Sequence, residues 1–351
     1  MSIFFKSPID IEVLLDGEEN RKHVDLFKGG SSTKTMKESL PLYEDGESIA
    51  GLVTLRVRDG RSIDHLGVKV SVIGSIDMVK TSGGNTTSTN GNSKLNSNSS
   101  LYNYDDPKKK PVDQFLCLSY DLCPAGELNH SESFPFTFKN LSKRYESYRG
   151  KNVDVTYYVK VTVMRKSTDI SKAKKFWVHL FKDMTPPVRE PNVQGSVTDA
   201  AGATSQTTNT PPSVLTKPVR LDIGIENCLH IEFEYSKAQY SLNDVIVGRI
   251  YFLLTRLKVR HMELSLLTRE TSGLKPSNFL LDSTSIRYEI MDGSPVKGET
   301  IPIRLFLSGY DLTPNMSCNY FNIKNYLNLV IIDEDGRRYF KQSEISLYRT
   351  K

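Results

Sequence analysis

Four short segments of this chain carry residue types that could do chemistry. Gly29-Gly30-Ser31-Ser32-Thr33-Lys34 has the glycines, hydroxyls and lysine of a phosphate-cradling loop. Its spacing is not GxxxxGK[ST] and no strand-to-helix context surrounds it, so a polar hairpin loop is the better reading. Asp333-Glu334-Asp335-Gly336 gathers carboxylates that could hold a cation. An acidic run closing on glycine between two strand-like segments is first of all a tight turn. Pro107-Lys108-Lys109-Lys110-Pro111 suits a nuclear localisation tract or an acidic lipid surface. It ends a polar low-complexity stretch and reads as a solvated run, although each lysine could add about 1 kcal/mol at an anionic leaflet. The fourth segment, Ile290-Met291-Asp292-Gly293-Ser294-Pro295, sets two adjacent apolar residues against a turn. A pleated strand sends neighbours to opposite faces, so one of the pair is directed away from the core. The pair either covers the end of a domain or forms an exposed apolar anchor for a partner.

The motifs of common enzymes are missing: the sequence contains no GxGxxG, HExxH or GxSxG. The six histidines are scattered, and His65 and His261 open corresponding strand-like runs, which suggests structural roles. Cys117, Cys123, Cys228 and Cys318 form no CxxC pair and have no metal-ligand spacing, as expected of free thiols in a reducing compartment. No cofactor or metal is expected. The formal net charge of +5 over 351 residues is mild and does not call for a nucleic-acid partner. The start of the chain lacks the pattern of a secretory signal. No segment reaches the roughly 18 consecutive apolar residues of a membrane span. A cytosolic protein is expected, with any membrane role peripheral, and the sequons at Asn85, Asn98, Asn129, Asn140 and Asn315 would then stay unmodified.

The elements that must position these residues are strands. Ile9 to Val13, Leu52 to Arg58, Val68 to Val72, Val153 to Tyr157, Leu221 to Ile225 and Leu229 to Phe233 all alternate apolar and polar residues. Turn signals separate them, among them Glu44-Asp45-Gly46-Glu47, Asp59-Gly60 and Cys123-Pro124-Ala125-Gly126. Helix-period segments are scarce. One pattern occurs twice: Glu132-Ser133-Phe134-Pro135-Phe136-Thr137-Phe138 returns as Glu299-Thr300-Ile301-Pro302-Ile303-Arg304-Leu305. Upstream, the run around Gly51 returns around Gly248. The copies lie 197 residues apart at the glycine and 167 at the proline, and an insertion in the first copy accounts for the difference. The expected architecture is all-β, with two tandem immunoglobulin-like β-sandwich domains. Domain boundaries fall at 1–183 and 217–351, with a disordered insertion at 80–110 and a flexible linker at 184–216 rich in Pro, Thr, Ala, Gly and Ser.

Two such sandwiches with prolines in corresponding strands resemble the arrestin fold. The resemblance sharpens to the arrestin-like subunit of retromer, the endosomal sorting complex of the vacuolar protein sorting group. It is carried by Phe4-Phe5-Lys6-Ser7-Pro8-Ile9-Asp10-Ile11-Glu12-Val13, Tyr145-Glu146-Ser147-Tyr148-Arg149-Gly150, and Cys228-Leu229-His230-Ile231-Glu232-Phe233-Glu234-Tyr235. Asp244 to Leu254, Tyr288-Glu289-Ile290-Met291-Asp292-Gly293 and Ile301 to Tyr310 extend it over nearly the whole chain. The insertion and the linker depart from shorter family members.

The resemblance implies a non-enzymatic adaptor in endosome-to-Golgi retrieval of transmembrane receptors, peripheral on the cytosolic face of endosomes. Its implied partners are the large α-solenoid subunit, the metallophosphoesterase-like subunit of the same complex, sorting nexins, and the cytosolic tails of cargo receptors. It also implies that the loop carrying Ile290, Met291, Asp292 and Gly293 docks on the solenoid, and that a polar contact lies where the two sandwiches meet, with Arg220, Asp222 and Glu226 as candidates. The alternatives are an alpha-arrestin-type receptor or ubiquitin-ligase adaptor, which would carry basic phosphate-sensing clusters or PPxY motifs, and a β-sandwich hydrolase. No PPxY is present.

Overall fold

The computed structural model describes residues 7–28, 36–58, 62–79, 109–182, 218–273 and 279–351. The glycine-rich segment 29–34, the Asp59-Gly60 turn and nearly all of the insertion and linker lie outside those residues. By compactness the chain forms two units. The first gathers Met1–Phe181 with Glu270–Leu280 and Met316–Asn322, and the second gathers Lys182–Arg269, Leu281–Asn315 and Ile323–Lys351.

The strands of the first half are β1 (Ile9–Leu15), β2 (His23–Lys28), β3 (Met36–Glu44), β4 (Ile49–Val57), β5 (Ile63–His65), β6 (Gly67–Val79), β7 (Lys109–Cys123), β8 (Gly126–Leu128), β9 (Glu132–Phe138), β10 (Tyr148–Arg149), β11 (Val153–Met164) and β12 (Ile170–His179). Those of the second half are β13 (Val219–Ile225), β14 (Leu229–Tyr235), β15 (Gln239–Ser241), β16 (Val245–Thr255), β17 (Val259–Ser272), β18 (Phe279–Asp292), β19 (Thr300–Phe306), β20 (Met316–Ser317), β21 (Phe321–Asp333) and β22 (Arg338–Tyr348). The fold is all-β, two arrestin-like β-sandwiches in tandem.

The duplication read in the sequence is present in the order of the two main sheets of each half. One sheet runs β1-β4-β9 in the first half and β14-β16-β19, with β13 added, in the second. The other runs β3-β12-β11-β6-β7, with β2 added, and β15-β22-β21-β17-β18. Most of the described pairs are antiparallel, but among the described residues both halves contain a parallel pair at the same place, β3 with β12 and β15 with β22. The short strands β10 and β20 attach to β11 and β21 in the same way.

The two repeated residues have a shared physical reason. Pro135 lies opposite Leu52 and Pro302 opposite Arg249, each in a strand at the end of its sheet order. A proline cannot donate to a ladder, so it is tolerated where its nitrogen faces an open edge, and there it discourages further strand addition. Gly51 and Gly248 sit on the neighbouring strands. A Cβ on Gly51 would collide with the Leu14 carbonyl and lie 2.9 Å from the Phe136 ring. One on Gly248 would lie 2.5 Å from the Glu234 carbonyl and 3.0 Å from Phe233. In each copy an aromatic ring fills the space that glycine leaves.

Alternation produces the cores. β1 buries Ile9, Ile11, Val13 and Leu15, and β4 buries Ile49, Val53 and Leu55. In the second half Ile231, Phe233, Ile246, Ile250, Leu264, Leu266, Leu327, Leu329 and Ile345 form one cluster drawn from both sheets. Each such side chain contributes roughly 1.5–3 kcal/mol by leaving water.

One boundary differs from the sequence reading. The solvated basic run and the disordered insertion were both expected to extend to Lys110. Lys109 and Lys110 instead begin β7, opposite Val79 and Met78. The Lys109 side chain is only 4% exposed and pairs with the equally buried Asp154 at 2.9 Å. The ion pair with Asp154 draws the lysine into the sheet, and spacing along the sequence cannot show such a partner.

Candidate partner-docking site

β18 is the last strand of its sheet, and Ile290 and Met291 stand at its C-terminal end. Both are partly buried and both pack against the core of the second unit. This differs from the expectation that the pleat would send one of them away from the core. Near the end of an edge strand each side chain has only part of the core to cover it. Asp292 and Gly293 are exposed, and Gly293 turns the chain with a φ of 83°.

The loop that follows is tightly built. The Gly293 amide donates to the Arg260 carbonyl at 2.7 Å. The Ser294 hydroxyl accepts from the Val259 amide at 2.9 Å and donates to its carbonyl at 3.2 Å. The Glu299 carboxylate accepts the Val296 amide at 2.9 Å, and the Glu299 amide donates to the Val296 carbonyl at 3.0 Å. Gly298 and Glu299 close two further bonds on the main chain of Phe252, at 2.8 and 3.0 Å. Pro295 is buried beneath this frame, while Val296 stands 72% exposed above it. Sequence reasoning missed Val296. A lone apolar residue between Gly293 and Gly298 was the available signal.

The surrounding charges are mixed. Lys258 meets Glu334 at 3.6 Å. Arg256, Arg260 and Lys297 are exposed and hold no salt bridge among the described residues, and Glu289, Asp292 and Glu299 are the exposed carboxylates nearby in sequence. The Asp333 run is the expected turn: Gly336 has a φ of 80°, and the Asp333 carboxylate accepts the Arg337 amide and the Tyr339 hydroxyl. Arg220 pairs with Glu232 and Glu234, and Asp222 lies 3.9 Å from His230, all across the β13–β14 ladder. Glu226 is exposed in the turn that follows β13. His65 is buried and His261 is half-buried.

Comparison with known proteins decides the family. The family model for vacuolar protein sorting-associated protein 26 matches residues 5–336. The chain is 65% identical over 379 aligned residues, covering all of both chains, to the carboxypeptidase Y-deficient protein 8 of Saccharomyces cerevisiae. It is 41% identical to the vacuolar protein sorting-associated protein 26 of Schizosaccharomyces pombe, covering 100% of this chain and 99% of the other. It is 37% identical to the human protein 26B, covering 99% and 88%. The chain belongs to the Vps26 family. That family is one of protein sorting, and no helix among the described residues of this member is long and apolar enough to cross a membrane.

In the first unit of this Vps26-family chain, several buried polar groups hold turns. Lys109 donates to the Gly150 carbonyl at 2.7 Å as well as to Asp154. On the other side of the same turn, the buried Glu270 carboxylate accepts the Lys151 and Asn152 amides at 3.1 and 2.9 Å and the Tyr148 hydroxyl at 3.0 Å. Burial first, and then the facing Glu270 charge, push the Tyr148 phenol well above its usual value. Arg149 pairs with Glu38 at 3.1 Å. Lys143 is 2% exposed and donates to the carbonyls of Glu44, Glu47 and Leu141. Burial pulls it down from 10.5 to about 8, against the opposing pull of Glu47 and Asp45.

Proposed function

We propose that this Vps26-family chain is a non-catalytic subunit of the retromer core, working in endosome-to-Golgi retrieval of transmembrane cargo receptors. In this reading the C-terminal domain, residues 217–351, grips the large α-solenoid subunit through Ile290, Met291, Asp292 and Gly293. The N-terminal domain, residues 1–183, helps the solenoid junction recruit cargo tails and sorting nexins. The segment 184–216 links the two domains, and the metallophosphoesterase-like subunit belongs to the same assembly. The complex works at the cytosolic face of endosomes without crossing the membrane.

Family membership supports the sorting role. The observation that carries the docking site is a pair of incompletely covered apolar residues at the end of an edge strand, next to a rigid exposed loop. Apolar groups set on a pre-ordered frame lose little entropy on binding and make efficient anchors. Co-purification of the full chain with the solenoid subunit tests this. Ile290→Asp with Met291→Asn removes the interaction if the reading holds, and undiminished co-purification of that variant overturns it.

A further inference from the structure

The two halves differ at one sheet edge. In the second half β13 adds antiparallel to β14, from Val219 opposite Tyr235 to Ile225 opposite Leu229. Its Val219, Leu221, Ile223 and Ile225 pack on the core. β1 holds the place of β14 in the first half, since Leu15 lies opposite Gly51 as Tyr235 lies opposite Gly248. Among the described residues no strand stands beside β1 where β13 stands beside β14.

The open side of β1 is arranged for bonding. The Arg58 amide donates to the Pro8 carbonyl at 3.0 Å and the Asp16 amide to the Ala50 carbonyl at 2.9 Å, with an unbroken register between them. Antiparallel ladders bond at alternate residues. The even-numbered residues of β1 therefore serve β4, and the amides and carbonyls of Ile9, Ile11, Val13 and Leu15 face the other way. The Ser7 hydroxyl donates to the Ile9 carbonyl at 2.8 Å. Sheet edges are ordinarily guarded against strand addition. β9, at the opposite edge of this sheet, carries Pro135, and its Thr137 amide donates to the Tyr120 hydroxyl at 2.8 Å. β7, at an edge of the other sheet, carries Pro111 and several register shifts. β1 has neither a proline nor a shift over its seven residues, and the side chains it turns inward are all apolar. Its outward charges pair across the ladder, Glu12 with Arg56 at 2.7 Å and Asp10 with Arg58 at 3.5 Å. Leu14 stands 50% exposed opposite Leu52.

We propose that the open edge of β1 accepts an extended segment of a partner protein, which adds antiparallel to it as β13 adds to β14. β13 defines the pattern: apolar residues at alternate positions turned to the core, and no proline where an amide must reach β1. The residue beside Leu14 on the outer face is apolar as well, because Leu14 and Leu52 form an exposed apolar row while the neighbouring carboxylates already hold arginines. This surface belongs to the first sandwich and does not depend on the docking reading above.

The probe is a synthetic peptide of the β13 sequence, Val219 to Ile225, added to the purified full chain, with amide hydrogen exchange read residue by residue along β1. In the free chain the Ile11, Val13 and Leu15 amides exchange fast, while those of Glu12 and Leu14 are held by β4. Peptide at about ten times its Kd slows the first three by about tenfold. N-methylation of the peptide at Leu221 and Ile223, whose amides face β1 in this pairing, abolishes the protection, and N-methylation at Arg220 and Asp222 leaves it. A peptide carrying Arg220→Leu, which sets an apolar side chain beside Leu14, binds several-fold tighter. No protection by the peptide overturns the proposal, and so does equal behaviour of the two methylated peptides, which would mean binding without strand addition. Slow exchange of the three amides in the free chain overturns it too, because the chain would then cover its own edge. Protection that grows with the chain's own concentration assigns the edge to a second copy instead. An Arg220→Leu peptide that binds no tighter removes the apolar row from the recognition.

Discussion

Replacing Lys109 with methionine keeps the length of the side chain and removes its charge. The side chain is 4% exposed, and its ammonium lies 2.9 Å from an Asp154 carboxylate oxygen and donates to the Gly150 carbonyl at 2.7 Å. At that separation the gross attraction is about 6 kcal/mol for an effective dielectric of about 20. Desolvation of both ions cancels much of this in the intact pair. Removing the lysine leaves the buried Asp154 carboxylate without its closest cation, and breaking a buried pair in this way typically costs about 3–5 kcal/mol. For a unit of this size each kcal/mol moves the midpoint by roughly 2–4 °C, so a fall of roughly 6–20 °C is expected. The chain has one tryptophan, Trp177, and it lies on β12 in the first unit. Its fluorescence follows this unit's unfolding directly. Lys109→Met together with Asp154→Leu should lose less than the two single changes combined, by about 2 kcal/mol or more. A single substitution costing under about 1 kcal/mol, as an exposed pair would, or a strictly additive cycle, would refute the placement of Lys109 inside the sheet.

Gly51→Ala should destabilise the first unit by about 1–3 kcal/mol, since its methyl meets backbone and a phenyl ring. Denaturant unfolding checks this, and a neutral result would mean that β1 and β4 are not packed as described. Lys143 is held near 8 in the folded chain against 10.5 ordinarily, so the folded state gives up this proton before the unfolded state does. Its contribution to stability therefore rises as pH climbs from about 8 to 10.5, by up to about 1.4 kcal/mol per unit. Wild type should gain on Lys143→Met across that interval, and a relative loss there would show that the three carbonyls hold the ammonium more firmly than burial opposes it. Ile290→Asp with Met291→Asn should lower the unfolding midpoint modestly as well as remove solenoid binding, because both side chains touch the core.

The sandwiches were legible in the sequence because their determinants are local. Alternation over five to seven residues set β1, β4, β11 and β14, and a proline with a glycine marked the same two neighbouring strands in each half. The parallel pairs β3–β12 and β15–β22 were not legible, since they join segments far apart in the chain. Buried charge was missed for the same reason. Lys109 lies in a lysine run that looks solvated until Asp154, 45 residues away, is brought beside it. At the candidate site, the motif around Ile290 and Met291 was readable as an apolar pair against a turn. The exposure of Val296 was not, because it depends on Ser294 and Glu299 bonding to the main chain of Val259 and Val296.

The most direct measurement of the central claim is equilibrium binding of the purified chain to the purified large α-solenoid subunit. The account predicts a stable one-to-one complex that is lost in the Ile290→Asp, Met291→Asn variant. It is contradicted if the wild type fails to bind, or if the variant binds with wild-type affinity.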